Sequence, residues 1–265
     1  MQTDTRHDAW SAGQSYDQYM GRWSKKIAAK YLDWLGAPPD ADWLEIGCGT
    51  GALTSAILAK AAPRSIVATD ASADFVAYAK SANVDPRATF ETAKAQKLGL
   101  DTDSRDVVTS ALVLNFLPDK TAALKEMHRV LRPGGVLSFY VWDYPGGGIG
   151  FIDAFWKAAA KVDPKAAELN EGARFPFCSE TGLREICAQA GLSGIAISLI
   201  EIETEFEDFD AFWMPFTLGA GPAPGYCMSL PADRREALMV QLKQQIAEAG
   251  PVRMPARAWA VRATA

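Results

Sequence analysis

Histidine and positive charge are both scarce in this chain of 265 residues. Its two histidines are His7, in a polar terminus, and His128, on the surface of a predicted helix, so neither supports a metal site or a general base. Lysine and arginine number 27 against 32 aspartates and glutamates, which gives a formal net charge of -5. Nucleic-acid binding relies on a cationic surface that neutralises phosphates, so this balance argues against a nucleic-acid partner.

Paired cysteines and long apolar runs are also absent. The cysteines lack the close spacing that marks zinc sites or thiol redox motifs, and we predict no metal site. They are Cys48, Cys178, Cys187 and Cys227. No apolar run approaches the roughly 20 residues that span a bilayer, and the N-terminus has no basic start followed by an apolar core. These absences predict a cytoplasmic protein without membrane insertion.

Apolar runs that alternate with helical patterns occupy the first half of the chain. Runs at residues 43–46, 65–69, 106–114 and 136–142 predict strands, and the segments between them carry one apolar face, as amphipathic helices do. This order predicts an α/β fold with a doubly wound, mainly parallel sheet. Later in the chain, apolar residues alternate with glutamates over 200–207, which predicts a strand with one solvated face.

Three local signals predict where helices begin and end. Ser24 can cap a helix that stops at Gly36, and Ser72 can cap the helix that follows the second strand. The stretch LRPGG predicts a helix end, with Gly134 or Gly135 in the left-handed conformation.

The stretch WLEIGCGTGAL, residues 43–53, places glycines where a strand gives way to a helix. Gly47, Gly49 and Ala52 fit the pattern G-x-G-x-x-G/A, in which backbone N–H groups at a helix N-terminus meet a ligand. Asp70 lies 23 residues after Gly47, where an acid that binds a ribose is expected. The glycines alone fit either a nicotinamide nucleotide or another adenosine cofactor.

Glu45 favours one of these cofactors. Its carboxylate stands two residues before Gly47, at the carboxyl edge of the predicted sheet, where it would repel a pyrophosphate and attract a cation. S-adenosylmethionine carries a sulfonium and an ammonium group and no phosphate. The acids Glu45 and Asp70 therefore suit S-adenosylmethionine better than a dinucleotide.

Four stretches, in this order and spacing, resemble the class I S-adenosylmethionine-dependent methyltransferases. They are LEIGCGTGALT, IVATDAS, SRDVVTSALVLNFLPD and LKEMHRVLRPGGVLSF. They are most similar to the type 11 group, which includes ubiquinone and menaquinone biosynthesis enzymes, and the N-terminal YDQYMGRWS resembles a bacterial branch of that group. The resemblance covers residues 14–142 well. It implies a Rossmann-like methyltransferase fold with a seven-stranded sheet and inserted cap segments.

The resemblance also implies the residues that would bind the cofactor. Asp70 would take the two ribose hydroxyls, and Glu45 would lie near the amino group. The loop residues Gly47, Cys48, Gly49 and Gly51 would lie against the methionine part, with Ala111 and Asn115 near its end. Ala71 and Ser72 would line the adenine. Family members often place an aspartate beside the adenine amino group where this chain has Lys94, so Ala95 and Gln96 would hold the adenine instead.

The N-terminal arm, residues 16–23, is polar and contains a glycine. Arg22 is either an ordinary surface charge or, as the resemblance suggests, faces the carboxylate of the cofactor. Tyr16, Met20 and Trp23 would then help to exclude water from the methyl group. Because the arm alone has too little apolar surface to offset its ordering entropy, we expect it to be mobile without ligand.

Aromatic residues after the fourth and fifth strands suggest an apolar or aromatic small-molecule acceptor. These are Trp142, Trp156, Phe177, Trp213 and Phe216. Methyl transfer from a sulfonium is an in-line displacement that needs alignment more than a strong base, and no catalytic residue is evident. Asp143 and Tyr144 are the candidate bases. The alternative is a non-catalytic module that binds S-adenosylmethionine or its product S-adenosylhomocysteine and regulates a partner.

The composition shift after Trp142, to Asp-Tyr-Pro-Gly-Gly-Gly, marks a hinge and suggests how the chain is divided. Residues 1–36 would form an arm and helix over the cofactor, and residues 37–142 the cofactor-binding core. Cap segments for the substrate would be residues 143–178 and 207–253. Residues 179–206 and 254–265 would complete the sheet.

Overall fold

The apolar runs predicted as strands join one seven-stranded sheet in the computed structural model, which describes residues 16–219, 221–246 and 250–264. Residues 1–15 of the segment 1–36 predicted to cover the cofactor, including His7, therefore lie outside the described residues. The strands are β1 (Asp42–Ile46), β2 (Ser65–Asp70), β3 (Ala88–Thr92), β4 (Arg105–Ala111), β5 (Leu131–Trp142), β6 (Ser193–Phe206) and β7 (Val252–Thr264).

The sheet has the strand order β3-β2-β1-β4-β5-β7-β6. Strand β1 pairs in parallel with β2 and β4, the pairs β2–β3 and β4–β5 are also parallel, and β7 runs antiparallel to β5. The predicted doubly wound, mainly parallel seven-stranded sheet is confirmed. Because the order reverses between β1 and β4, a crevice for a ligand is expected at the carboxyl ends of these two strands.

Ten α-helices connect the strands within the described residues. They are α1 (Arg22–Leu35), α2 (Ala52–Lys60), α3 (Ala73–Ala82), α4 (Lys120–Arg129), α5 (Gly150–Val162), α6 (Glu171–Arg174), α7 (Glu180–Gln189), α8 (Phe209–Trp213), α9 (Pro222–Ser229) and α10 (Ala232–Ile246). Trp43 and Leu44 of β1 are fully buried, as expected for a central strand of a parallel sheet. None of the described helices is long and apolar enough to cross a membrane.

The described residues fall into two compact units. The core unit contains residues 24–142, 177–200 and 258–264, and the second unit contains residues 16–23, 143–176, 201–219, 221–246 and 250–257. One boundary thus falls between Trp142 and Asp143, at the glycine-rich segment. The second unit holds a cluster of packed rings, in which Phe155 and Phe216 stack with centroids 4.5 Å apart.

The cap signal at Ser72 and the glutamate alternation both predict the structure correctly. The Ser72 hydroxyl accepts a hydrogen bond from the backbone N–H of Phe75 at 3.4 Å, so Ser72 caps α3 as predicted. The glutamates of β6 lie on its exposed face, whereas Ile202, Thr204 and Phe206 are buried. These exposed residues are Glu201, Glu203 and Glu205, and Glu207 directly after the strand is exposed as well.

The predicted cap at Ser24 is wrong. Helix α1 begins at Arg22 and continues directly from a π-helical turn, Asp17–Gly21, so Ser24 lies inside the helix and is buried. The helix starts earlier because aromatic contacts fix the preceding turn. The Tyr19 ring packs edge-on against Phe151 with centroids 6.1 Å apart, and the Trp23 ring packs against Phe206 at 5.6 Å.

The stretch LRPGG also differs from the prediction. Helix α4 ends at Arg129, and Leu131–Gly135 already belong to β5. The register pairs Arg105 with Leu131 but Val107 with Val136, so the extra residues form an irregularity in the strand. Gly134 takes the left-handed φ of 76° there, instead of closing the helix.

Candidate functional site

The glycine loop, residues 47–51, lies between β1 and α2 at the carboxyl edge of the sheet. The backbone N–H groups of Gly47 and Cys48 both donate to the Thr69 carbonyl, at 2.7 and 2.9 Å. Gly47 has a φ of 72°, and a Cβ there would lie only 2.4 Å from Cγ2 of Val113. Next to Gly49, by contrast, a Cβ would meet no atom of the described residues within 4 Å. The loop thus presses against Val113 and leaves open space beside Gly49.

Asp70 joins this loop to the end of β2. Its Oδ2 accepts a hydrogen bond from the Gly49 N–H at 3.0 Å, and its Oδ1 accepts one from the Ser72 N–H at 2.9 Å. Since a carboxylate oxygen can accept two hydrogen bonds, each oxygen retains one acceptor position. Asp70 can therefore hold the two loops in place and still bind two ligand hydroxyls.

Glu45, on β1, is a buried acid with an incomplete set of partners. It is 1% exposed, and its Oε2 accepts a hydrogen bond from the Thr54 hydroxyl at 2.5 Å. Its Oε1 has no hydrogen-bond partner among the described residues. The pKa of Glu45 is raised to about 8, mainly by burial; the hydrogen bond from Thr54 lowers this pKa and the nearby charge of Asp70 raises it.

Other polar groups are buried around Glu45. In the sheet register Glu45 stands opposite Thr109 of β4, whose Oγ1 lies 2.8 Å from the Tyr31 hydroxyl of α1. Burial raises the pKa of the Tyr31 hydroxyl, and the charge of Glu45 adds to this rise. Burial likewise raises the pKa of the Cys48 thiol, with contributions from Glu45 and Asp70. These neighbours supply hydroxyls and a thiol, and no positive charge.

The end of β4 carries a strained residue and a second unsatisfied group. Leu112 has a φ of 60°, in the left-handed region that costs a non-glycine residue about 1–2 kcal/mol. Its N–H donates to the Tyr140 carbonyl at 2.8 Å, which holds the turn. Asn115 is buried, and its Nδ2 has no partner among the described residues. Backbone strain and an unsatisfied buried donor are both typical of functional sites.

The segment after β3 borders Asp70. The Ala93 N–H donates to the Asp70 carbonyl at 2.9 Å, and Ala95 is buried. Lys94 is exposed, whereas Gln96 is half-buried and donates from Nε2 to the Asp119 carbonyl at 3.4 Å. The lysine side chain thus lies at the surface, and backbone of this segment lies beside Asp70.

Residues 44–139, which contain this loop and both acids, match the profile of a protein family described as a methyltransferase domain. Residues 44–139 form a methyltransferase domain. The family predicted from the sequence motifs is confirmed for this domain.

The methyltransferase domain is similar to parts of several known proteins. The bifunctional biotin biosynthesis protein BioCD of Bordetella avium is 29% identical over 133 residues, which are 50% of this chain and 28% of that protein. A demethylmenaquinone methyltransferase of Lactobacillus johnsonii is 27% identical over 175 residues, which are 60% of this chain and 70% of that protein. The chain thus spans less than a third of the length of the first relative.

The fold is also similar to that of solved methyltransferases. The structure of phosphoethanolamine N-methyltransferase 2 from Haemonchus contortus, in complex with S-adenosyl-L-methionine, matches with a TM-score of 0.56 and 15% identity. The match covers 94% of this chain and 55% of that one. At this identity the likeness concerns the fold alone.

Most residues predicted to bind the cofactor lie in the core unit, at or near the strand ends that border the glycine loop. The exceptions are Tyr16, Met20 and Arg22, which belong to the second unit. The Arg22 guanidinium lies 4.1 Å from the ring centroid of Trp23 and 4.6 Å from that of Phe206, and burial lowers its pKa. Arg22 is therefore held by cation–π contacts. Its contact with the cofactor stays a prediction.

The residues predicted to line the acceptor are divided between the units. Trp142 and Phe177 belong to the core unit, and Trp156, Trp213 and Phe216 to the second unit. Trp156 and Phe216 are buried, and both pack on Phe155, whereas Trp213 is half-buried. A role for these five rings in acceptor binding stays a prediction.

Asp143, one of the two candidate bases, lies in a structural network of the second unit. Its carboxylate forms an ion pair with Arg257 at 3.5 Å and accepts the Gly146 N–H at 3.2 Å. Arg257 also donates to the Gly146 carbonyl at 2.8 Å. These contacts hold the glycine-rich turn, which favours a structural role over proton transfer. Tyr144, the other candidate, packs on Phe175 with centroids 5.7 Å apart.

Sequence reasoning missed Thr54, Leu112 and Val113. Thr54 is fully buried on the first turn of α2 and supplies the hydrogen bond to Glu45. A threonine among the apolar residues of that turn was a usable signal for an inward-facing hydroxyl. Leu112 offered no signal, since leucine rarely adopts a positive φ. Among the described residues, no group of acids, histidines or cysteines could hold a metal ion.

Proposed function

We propose that this chain is an S-adenosylmethionine-dependent methyltransferase that acts on a small apolar or aromatic molecule. The observation that carries the proposal is the set of groups at the ends of β1 and β2. The loop leaves open space beside Gly49, Asp70 retains two acceptor positions, and Glu45 retains one unpartnered oxygen. These groups fit a ligand that carries ribose hydroxyls and a positive charge.

Each residue has a distinct part in this proposal. Asp70 accepts the ribose hydroxyls and Glu45 accepts a hydrogen bond from the ammonium group. Asn115 donates to the carboxylate end, and the backbone at Ala95 bounds the adenine. When bound, the cofactor supplies the activated methyl group for an in-line displacement. The protein aligns the acceptor and excludes water, so no strong base is required.

We assign binding of the methyl acceptor to partly exposed aromatic side chains. Trp213 is a partly exposed ring of the second unit, 6.2 Å from Phe216. Half-exposed rings offer apolar faces to a small ligand, which supports an apolar or aromatic acceptor. The full burial of Trp156 and Phe216, in contrast, favours the alternative function, a regulatory module that binds the cofactor without methyl transfer.

A screen of candidate acceptors separates the two functions. Purified protein is incubated with S-adenosylmethionine and a panel of quinols, phenols, amines and short organic acids, and release of S-adenosylhomocysteine is measured for each. Release above the acceptor-free background, lost in Asp70→Ala, supports the enzyme. Cofactor binding without release for any acceptor class supports the module, and absence of binding contradicts both.

A further inference from the structure

Thr54 links helix α2 to the buried acid of β1. Its hydroxyl donates to Oε2 of Glu45 at 2.5 Å, and both residues are almost completely buried. Oε1 of Glu45 is left without a partner among the described residues. One donor therefore fixes which of the two carboxyl oxygens is available to a ligand.

The groups around Glu45 do not neutralise a negative charge. Tyr31 faces it from α1, Thr54 from α2 and Thr109 from β4, and all three carry hydroxyls. Asp70 on β2 adds a negative charge, and Cys48 of the loop adds a thiol. No lysine, arginine or histidine of the described residues forms an ion pair with Glu45. Ionisation of the buried Glu45 carboxyl group therefore costs free energy unless a cation binds beside it.

We propose that Thr54 is a positioning residue for the cofactor, and that it holds Glu45 so that the carboxyl group exchanges its proton for the ammonium group of the cofactor. This inference rests on the proposed function. Thr54 donates to Oε2, so the acid proton resides on Oε1. On binding, that O–H bond breaks, the proton passes to the buffer, and Oε1 accepts an N–H from the ammonium group. No electrons are transferred.

The exchange makes cofactor binding depend on pH. Burial raises the pKa of Glu45 to about 8, so the group is mainly protonated at neutral pH. Release of one proton per ligand makes the affinity rise about tenfold per pH unit below that pKa and level off above it. Because the Thr54 bond lowers the pKa of Glu45, its loss moves the levelling point to higher pH.

Calorimetry with S-adenosylhomocysteine tests this on the full chain. Titrations between pH 6 and 8.5, at each pH in two buffers that both buffer there and differ in ionisation enthalpy, give the number of protons released from the dependence of the heat on the buffer. We expect nearly one proton at pH 6.5 and fewer at pH 8.5. Glu45→Gln should remove both the proton release and the pH dependence.

Variants at position 54 separate positioning from a merely structural role. Thr54→Val keeps the shape and should shift the pH profile upward, and Thr54→Ser should restore it. Ser55→Ala removes a neighbouring hydroxyl that donates to the Gly51 carbonyl at 2.9 Å, and it should leave the profile unchanged. Thermal unfolding confirms that each variant is folded.

The outcomes distinguish this inference from the proposed function. Binding without proton release, or a pH profile that is the same in Thr54→Val, Glu45→Gln and the unmodified protein, overturns the inference and leaves the methyltransferase proposal intact. Absence of S-adenosylhomocysteine binding at every pH overturns both.

Discussion

The carboxylate of Asp70 and the backbone N–H of Gly49 are joined by a hydrogen bond of 3.0 Å. This bond ties the end of β2 to the loop that follows β1, so the Asp70 side chain helps to shape the glycine loop. Substitution of Asp70 therefore removes this loop contact together with the proposed ligand contact.

We expect Asp70→Ala to weaken binding of S-adenosylhomocysteine by about 1.5–3 kcal/mol, the range for hydrogen bonds to a charged group. Lys94→Ala is the control, because the Lys94 side chain is exposed and should contribute little. Calorimetry measures both affinities. Equal losses in the two variants would contradict the assignment of the ribose to Asp70.

Gly47→Ala should destabilise the fold more than Gly134→Ala. Both positions have a positive φ, 72° and 76°, which costs alanine about 1–2 kcal/mol in either case. Only at Gly47 would the added Cβ meet a neighbour, Val113, at 2.4 Å, whereas at Gly134 no described atom lies within 4 Å. Urea denaturation should show an additional loss of about 1–3 kcal/mol for Gly47→Ala. Similar losses would show that Val113 moves aside.

Glu45 should make stability depend on pH. Its folded pKa of about 8 lies above the ordinary value of 4.5, so the folded state holds a proton that the unfolded state has lost between these pH values. The contribution is fully present below about pH 4.5 and is lost as the pH rises through 8, with a slope of about 1.4 kcal/mol per pH unit. Glu45→Gln should gain stability relative to the unmodified protein between pH 5 and pH 8.5. A constant difference across that range would contradict the raised pKa.

Residues 16–23 should exchange their amide hydrogens slowly even without ligand. The expectation of an arm with too little apolar surface is wrong for Tyr19 and Trp23, which are 1% and 2% exposed and pack on rings of the second unit. Hydrogen exchange should show that the amides of residues 16–23 are protected about as well as those of the following residues of α1. Rapid amide exchange that slows only when S-adenosylhomocysteine is added would instead support the expectation that residues 16–23 are mobile without ligand. Trp23→Ala should lower stability by about 3–5 kcal/mol, as expected for a buried tryptophan.

The glycine loop and Asp70 could be predicted because their signals are local. Gly47 and Gly49 directly follow β1 and have positive φ angles, which favour glycine. Asp70 is the last residue of β2, the next strand in the chain. The cap of Ser72 is equally local, since it acts on Phe75 three residues on.

The remaining features depend on contacts between distant segments. The start of α1 is decided by rings more than a hundred residues away, Phe151 and Phe206, so a local cap signal at Ser24 was misleading. The proton-holding environment of Glu45 comes from α1, α2 and β2 together. Periodicity shows that such residues are buried but not which groups surround them.

The second unit is assembled from three stretches of the chain that are separated by parts of the core unit. Tyr19 comes from the first stretch, and its ring partners Phe151 and Phe216 come from the second and third. Neither unit is therefore one continuous segment of the chain. During synthesis on a ribosome, Tyr19 and Trp23 therefore cannot make all of these ring contacts until the chain has been extended past Phe216.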